Sequence, residues 1–150
     1  MDRTLFDDIV EGKMKSWKIW EDDTFLAFLT PFPNTPGFTV VIPKTNPGDY
    51  VFGLDDENYH ALMDAVKTVA KLLERAFDTT RVALIFEGTG VAHVHAKLIP
   101  LHGELASQTN VWSKDKEFSE EYKGWLTTAE GPKMDDSELN KIQKQIEAVK

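Results

Sequence analysis

The sequence predicts an α+β protein, an antiparallel five-stranded sheet with one long helix packed on one of its faces. Two observations carry that expectation. Five short apolar, β-branched or aromatic runs neighbour one another along the chain, and between the third and fourth lies a stretch with an apolar stripe at helical spacing. The other sheet face must then meet a partner subunit or a ligand.

In chain order, Leu5, Phe6, Ile9 and Val10 suit a short amphipathic N-terminal helix that Gly12 would end. Trp17, Ile19 and then residues 25–29 read as two strands joined by the polar turn Glu21-Asp22-Asp23. Residues 31–37 hold three prolines and a glycine, which excludes regular structure and predicts a rigid loop. The β-branched run 38–42, closed by Pro43, is the third strand. Asp55, Asp56 and Glu57 suit a helix start, where acidic side chains meet free backbone N–H groups and the positive end of the dipole. From there Tyr59, Leu62, Met63, Val66, Val69, Leu72, Leu73 and Phe77 form the apolar stripe of the main helix, about six turns long at 3.6 residues per turn. Residues 81–86 make a fourth strand, and Gly88-Thr89-Gly90 connects it tightly to a fifth strand that carries histidines.

Beyond that strand the pattern weakens. Residues 103–113 show no period, 116–123 suit a short helix, 124–132 a loop, and Asp135-Asp136-Ser137-Glu138 a capping box opening a terminal helix. No repeat or linker divides the chain. Residues 1–150 are therefore one domain, with a motif core over about 5–102 and a C-terminal helical extension over 103–150.

Composition narrows the function. The 150 residues contain no cysteine, which removes disulfides, thiolate chemistry and Cys-based metal sites and fits a reducing compartment. No basic and apolar leader opens the chain and no apolar run could span a bilayer, so a cytoplasmic protein with no membrane partner is expected. A formal net charge of −8 argues against nucleic acid, whose binding needs clustered Lys and Arg. A small anionic ligand remains compatible, because a few local donors can hold it inside a pocket.

The chemistry concentrates in residues 90–102, which hold three of the four histidines. Strand side chains alternate between faces, so His93, His95 and Lys97 share one face while Val94, Ala96 and Leu98 occupy the other. Such a face should meet solvent, an anion or a metal, since an unpaired imidazolium or ammonium is costly away from water. A zinc reading with His102 as third ligand is weak, because His102 has the opposite parity to His93 and His95. His60 sits on the main helix among polar neighbours and reads as solvated.

Glu21-Asp22-Asp23, Leu26-Ala27-Phe28, Phe32-Pro33, Thr35-Pro36-Gly37, Val41-Ile42-Pro43-Lys44 and the run His93-Val94-His95-Ala96-Lys97-Leu98-Ile99-Pro100 fall in a definite order. That order and spacing resemble the histidine triad (HIT) superfamily of nucleotide hydrolases and transferases, over roughly residues 5–102. The resemblance implies a homodimer acting on a small-molecule nucleotide, without a cofactor. It implies His95 as the nucleophile at the α-phosphorus, His93 as the residue that orders the active strand, and Leu5, Phe6, Ile9 and Phe28 as the apolar lining of a base pocket. His95 should then lie in an open cleft with the Lys97 ammonium beside it. Neutral imidazole is nucleophilic near pH 7, its unperturbed pKa being about 6.5, and covalent catalysis splits one hard displacement into two.

Several positions depart from that pattern. Lys97 stands at the third triad position, usually histidine; an ammonium can neutralise developing phosphoryl charge but is a poorer proton donor than imidazolium. Phe38 and Asn46 replace upstream histidines, Thr30 stands where an aspartate often binds ribose, and Gly90 lacks a hydroxyl that Thr89 would supply. Thr4 and Asp7 replace the cysteine pair that holds zinc in some members, so no metal is expected. The alternative on the same fold is a catalytically impaired nucleotide-binding or interaction module.

Overall fold

The computed structural model describes residues 3–107 and 133–150. Strands β1 (Trp17–Glu21), β2 (Phe25–Leu29), β3 (Thr39–Pro43), β4 (Val82–Ile85) and β5 (Ala96–Pro100) form one antiparallel sheet in the order β1-β2-β3-β5-β4. Helices α1 (Leu5–Val10), α2 (Asp56–Phe77) and α3 (Asp136–Glu147) complete the α+β architecture. Short 3-10 turns at Val51–Gly53 and Gly103–Ala106 were not legible from pattern.

Helix α2 begins where the sequence places it. The Asp55 side chain accepts the Asn58 backbone N–H at 2.8 Å and so satisfies one of the free donors of the first turn. Its apolar stripe, including Leu62, Val66, Val69, Leu72 and Leu73, is buried against Phe25, Ala27, Leu29, Val41, Ala96 and Leu98, the alternate residues of three strands. Leu26, Phe28, Val40 and Ile42 point to the other face and pack with Phe6 and Ile9 of α1. Strands β2 and β3 are therefore buried on both faces, which explains why they read as unbroken apolar runs. The face left open by sequence for a partner or ligand is in part roofed by α1.

The loop over residues 31–37 has no regular structure, as its prolines require, and it ends against α2. Gly37 adopts φ +83°, and a Cβ there would come within 2.3 Å of the Phe77 ring. Only glycine fits that approach.

The terminal helix lies across β1 and α2. Leu139 and Ile146 are 1% and 0% exposed, and Trp17 Nε1 donates to Asn140 Oδ1 at 3.1 Å. Gln143 Nε2 donates to the Lys18 carbonyl and Gln145 Nε2 to that of Ala76, both at 2.7 Å. This part of the extension completes the core beneath α2. The expected capping box does not form: Asp135 at the N-cap makes no side-chain capping bond, and Glu138 pairs with Lys141, while Asp136 meets Lys15 at 2.6 Å. The expected helix at 116–123 and loop at 124–132 fall outside the described residues, as do Trp112, Tyr122 and Trp125. Among the described residues no helix is long and apolar enough to cross a membrane.

Docking of α3 is testable by truncating a buried side chain against an exposed one. Leu139→Ala should lower unfolding free energy by about 2–5 kcal/mol in a guanidinium titration. Lys141→Ala, at a side chain 72% exposed, should change it by less than about 0.5 kcal/mol. Equal effects would mean that α3 does not belong to the core.

Candidate active site

Strand β5 begins only at Ala96, so His93 and His95 lie in an irregular segment just before it rather than in the ladder. That segment is tied to the loop after β3. Val94 N–H donates to the Gly48 carbonyl at 2.6 Å and Asn46 Nδ2 donates to the Ala92 carbonyl at 2.8 Å. Asn46 Oδ1 in turn accepts the Gly48 N–H at 3.0 Å, so the residue at the upstream histidine position works as a clamp on backbone. His93 Nε2 donates to the Pro43 carbonyl at 2.8 Å.

The alternation of faces persists through this segment. Val94, Ala96 and Leu98 enter the core beneath α2, while the Phe6 ring on the opposite face lies 5.6 Å from the His93 ring and 5.3 Å from that of His95. Lys97 pairs across the ladders with Val40 of β3 and Ile85 of β4, and Val40 belongs to the α1 side. His93, His95 and Lys97 thus share one face.

Their depth corrects the expectation from sequence. The face does not stand open to solvent: His93 is 0% exposed and His95 only 7%, less than an open cleft would give. The physical reason is that both rings are buried neutral, each with an N–H bonded to a backbone carbonyl, so no charge is stranded. Burial pushes both pKa values down from the ordinary histidine value. For His95 the Lys97 ammonium pushes the same way, while the bond to the His93 carbonyl and the Glu87 carboxylate push against it.

A carbonyl can only accept, so the 2.8 Å contact between His95 Nδ1 and the His93 oxygen fixes the proton on Nδ1. Nε2 then carries the lone pair. It makes no hydrogen bond among the described residues, yet it is not sealed off: His93 Nδ1 is the only side-chain nitrogen or oxygen there that is both buried and unpartnered. The result is a neutral imidazole with its basic nitrogen at the accessible edge of the ring.

Lys97 is ion-paired with Glu87, their side chains 15% and 26% exposed. Glu87 was not singled out from sequence, although a signal existed. Ile85 pairs with Lys97 at the end of the β4–β5 ladder, and Glu87 follows two residues later, where strand alternation gives it the same facing.

The remaining candidates divide. Phe6, Ile9 and Phe28 are buried together in the cluster beside the histidines, with Phe6 and Phe28 rings 5.9 Å apart, whereas Leu5 at the head of α1 is 44% exposed. Thr30 is buried just past β2, its Oγ1 accepting the Phe32 N–H at 3.2 Å, and Thr89 is exposed on the bend before the histidines. Phe38 is buried, and His60 is exposed on α2. His102 Nε2 donates to the Pro36 carbonyl and its ring packs on Phe77, apart from the other two histidines. Thr4 and Asp7 bond to each other, the carboxylate accepting the Thr4 N–H at 2.6 Å and its hydroxyl at 2.9 Å.

Residues 11–104, which carry both histidines and the sheet they stand on, match a family model described as the HIT domain. This chain belongs to the HIT family. Among HIT proteins, the chain is 31% identical over 124 residues to Protein hit of Bacillus subtilis, covering 79% of this chain and 83% of that one. The fold superimposes on a hypothetical histidine triad nucleotide-binding protein from Sulfolobus tokodaii with a TM-score of 0.72 and 21% identity, over 97% of this chain and 90% of the other. A HIT family hydrolase from Legionella pneumophila gives 0.59 and 24% identity, over 67% and 95%.

Burial of two neutral imidazoles makes HIT-domain stability depend on pH. Their folded pKa values lie below the unfolded value of about 6.5, so the stabilisation is fully present above that pH and is lost as pH falls below it. Guanidinium titrations at pH 7.5 and 5.5 should show wild type weaker at the lower pH. The loss should be smaller in a His93→Asn/His95→Asn double variant, and an equal loss would contradict the neutral assignment.

Proposed function

We propose that this HIT domain is a nucleotidyl hydrolase or transferase that cleaves a nucleoside phosphate at its α-phosphorus through a nucleotidyl-histidine intermediate. The observation that carries the reading is the His95 Nδ1 bond to the His93 carbonyl, which directs the Nε2 lone pair outward as a nucleophile. Family membership supports nucleotide chemistry, as do a neighbour described as nucleotide-binding and another described as a hydrolase.

His95 Nε2 attacks phosphorus, the leaving group departs with the electron pair of the broken bond, and water or another acceptor then displaces the nucleotide from the ring. His93, held to Pro43, keeps the segment in the conformation that presents its own carbonyl to His95. Lys97 neutralises charge that develops on the phosphoryl oxygens, an electrostatic role worth roughly 3–4 kcal/mol when the donor is well placed. The base lies against exposed Leu5 and the rim of the cluster that holds Phe6, Ile9 and Phe28, and the Thr30 and Thr89 hydroxyls supply sugar or phosphate contacts. Dinucleoside polyphosphates and nucleoside phosphoramidates are the substrate classes that fit this chemistry. A homodimer fits the exposed edge strand β4, where Leu84 is 37% exposed and one side of the ladder is unpaired among the described residues.

The 7% exposure of His95 favours a second reading, a module that binds nucleotide without turnover. Incubation with diadenosine tetraphosphate and with adenosine phosphoramidate, wild type beside His95→Ala, separates the two. Turnover by wild type, a nucleotidyl adduct visible by mass spectrometry and loss of both in His95→Ala are expected. No turnover and no adduct with either substrate would leave only the binding module.

A further inference from the structure

Glu87 belongs to no strand or helix and stands two residues past the end of β4. Its carboxylate grips Lys97 Nζ at a place where both side chains are mostly buried, and both charges act on His95. A carboxylate beside a phosphate site needs a reason. Left alone it would repel an anionic substrate, and a lone ammonium at position 97 would attract one. The carboxylate takes up part of that attraction, so its own contribution lies elsewhere than in binding phosphate.

The geometry points to Glu87 as a specificity-determining residue: by engaging the Lys97 ammonium it makes the site select leaving groups that depart as oxyanions over those that must depart as amines. This rests on the nucleotidyl-transfer reading of His95. With a phosphoanhydride, the Nε2 lone pair forms the N–P bond, the bridging P–O bond breaks, and its electron pair stays on oxygen. The group leaves as a phosphate anion, whose second pKa near 6 means that no proton is required in the step. Water then forms the new P–O bond, the N–P pair returns to Nε2, and the surplus proton of water passes to solvent.

With a phosphoramidate the same attack breaks a P–N bond, and the electron pair would fall on nitrogen. Nitrogen must take up a proton as it leaves. At the third triad position the only proton carrier this sequence provides is Lys97, and its transfer would leave a neutral amine facing the Glu87 carboxylate, with the ion pair broken. Solvent has to supply the proton instead. Loss of a positioned acid costs about 10²-fold or more in rate.

The test compares kcat/KM for diadenosine tetraphosphate and adenosine phosphoramidate at pH 7.5 in wild type, Glu87→Gln and Glu87→Asp. Wild type should favour the anhydride by about 10²-fold. Glu87→Gln should shrink that ratio at least about tenfold, chiefly by raising the phosphoramidate rate, because proton transfer from Lys97 then no longer breaks an ion pair with a carboxylate. Glu87→Asp, which keeps the carboxylate, should restore the ratio. Glu87→Gln should also move the acid limb of the anhydride profile to lower pH, since the carboxylate it removes holds the His95 pKa up. A merely structural glutamate would depress both substrates alike and leave the limb in place.

Near-equal rates for the two substrates in wild type would overturn the inference even if Glu87→Gln failed to fold. A ratio untouched by Glu87→Gln would overturn it too. Absence of turnover and of any adduct in wild type would instead sink the underlying assignment of His95, and the inference with it.

Discussion

The contact on which the site depends is a hydrogen bond between residues only two apart, from His95 Nδ1 to the His93 carbonyl. An imidazole has two nitrogens, and whichever is protonated cannot act as nucleophile. A carbonyl fixed 2.8 Å from Nδ1 settles which nitrogen is basic before any substrate arrives. That carbonyl must itself be held. The Pro43, Gly48 and Asn46 contacts to residues 92–94 do so by side-chain and loop bonds, and the chain is free to curve away from its strand just where the ladder stops.

Burial then has a specific meaning here. The two rings lie against Phe6, on a sheet face that α1 closes with apolar side chains, and only their neutral forms tolerate that environment. The same enclosure that limits access keeps His95 unprotonated and hence nucleophilic at neutral pH. His93 bears the cost, since its Nδ1 is buried without a donor, a loss of about 1–3 kcal/mol in typical cases. The fold supports this with a two-sided core, continuous through β2 and β3, and with α3 closing the other layer across β1 and α2.

The chain carries a formal −8 overall, and beside His95 the Lys97 ammonium meets the Glu87 carboxylate. The ammonium lowers the His95 pKa and the carboxylate raises it, so the two partners act on the ring in opposite directions. On the proposed reading, lysine at the third triad position is a change of chemistry, from a group that gives and takes protons near neutrality to one that holds charge.

Much of this was legible from the one-dimensional pattern. Period-two alternation placed Val94, Ala96 and Leu98 opposite His93, His95 and Lys97, and a 3.6-residue stripe with an acidic start gave α2 from Asp56 to Phe77. Those features are local, set by backbone geometry within a few residues. Depth and partnership are not. Nothing near His93 in the chain announces that its ring will be sealed by Phe6 and bonded to Pro43, 50 residues earlier, and alternation says which way a side chain faces but not what lies there. The capping box at 135–138 does not form because Glu138 pairs with Lys141 three residues on, a choice among local partners that the pattern does not settle. Sequence thus determined the elements, their faces and the family pattern, whereas tertiary structure alone decided which histidine nitrogen is free, how far the ladder runs and that Glu87 meets Lys97. Each of those depends on contacts between distant segments, which only the closed sheet brings within hydrogen-bond range.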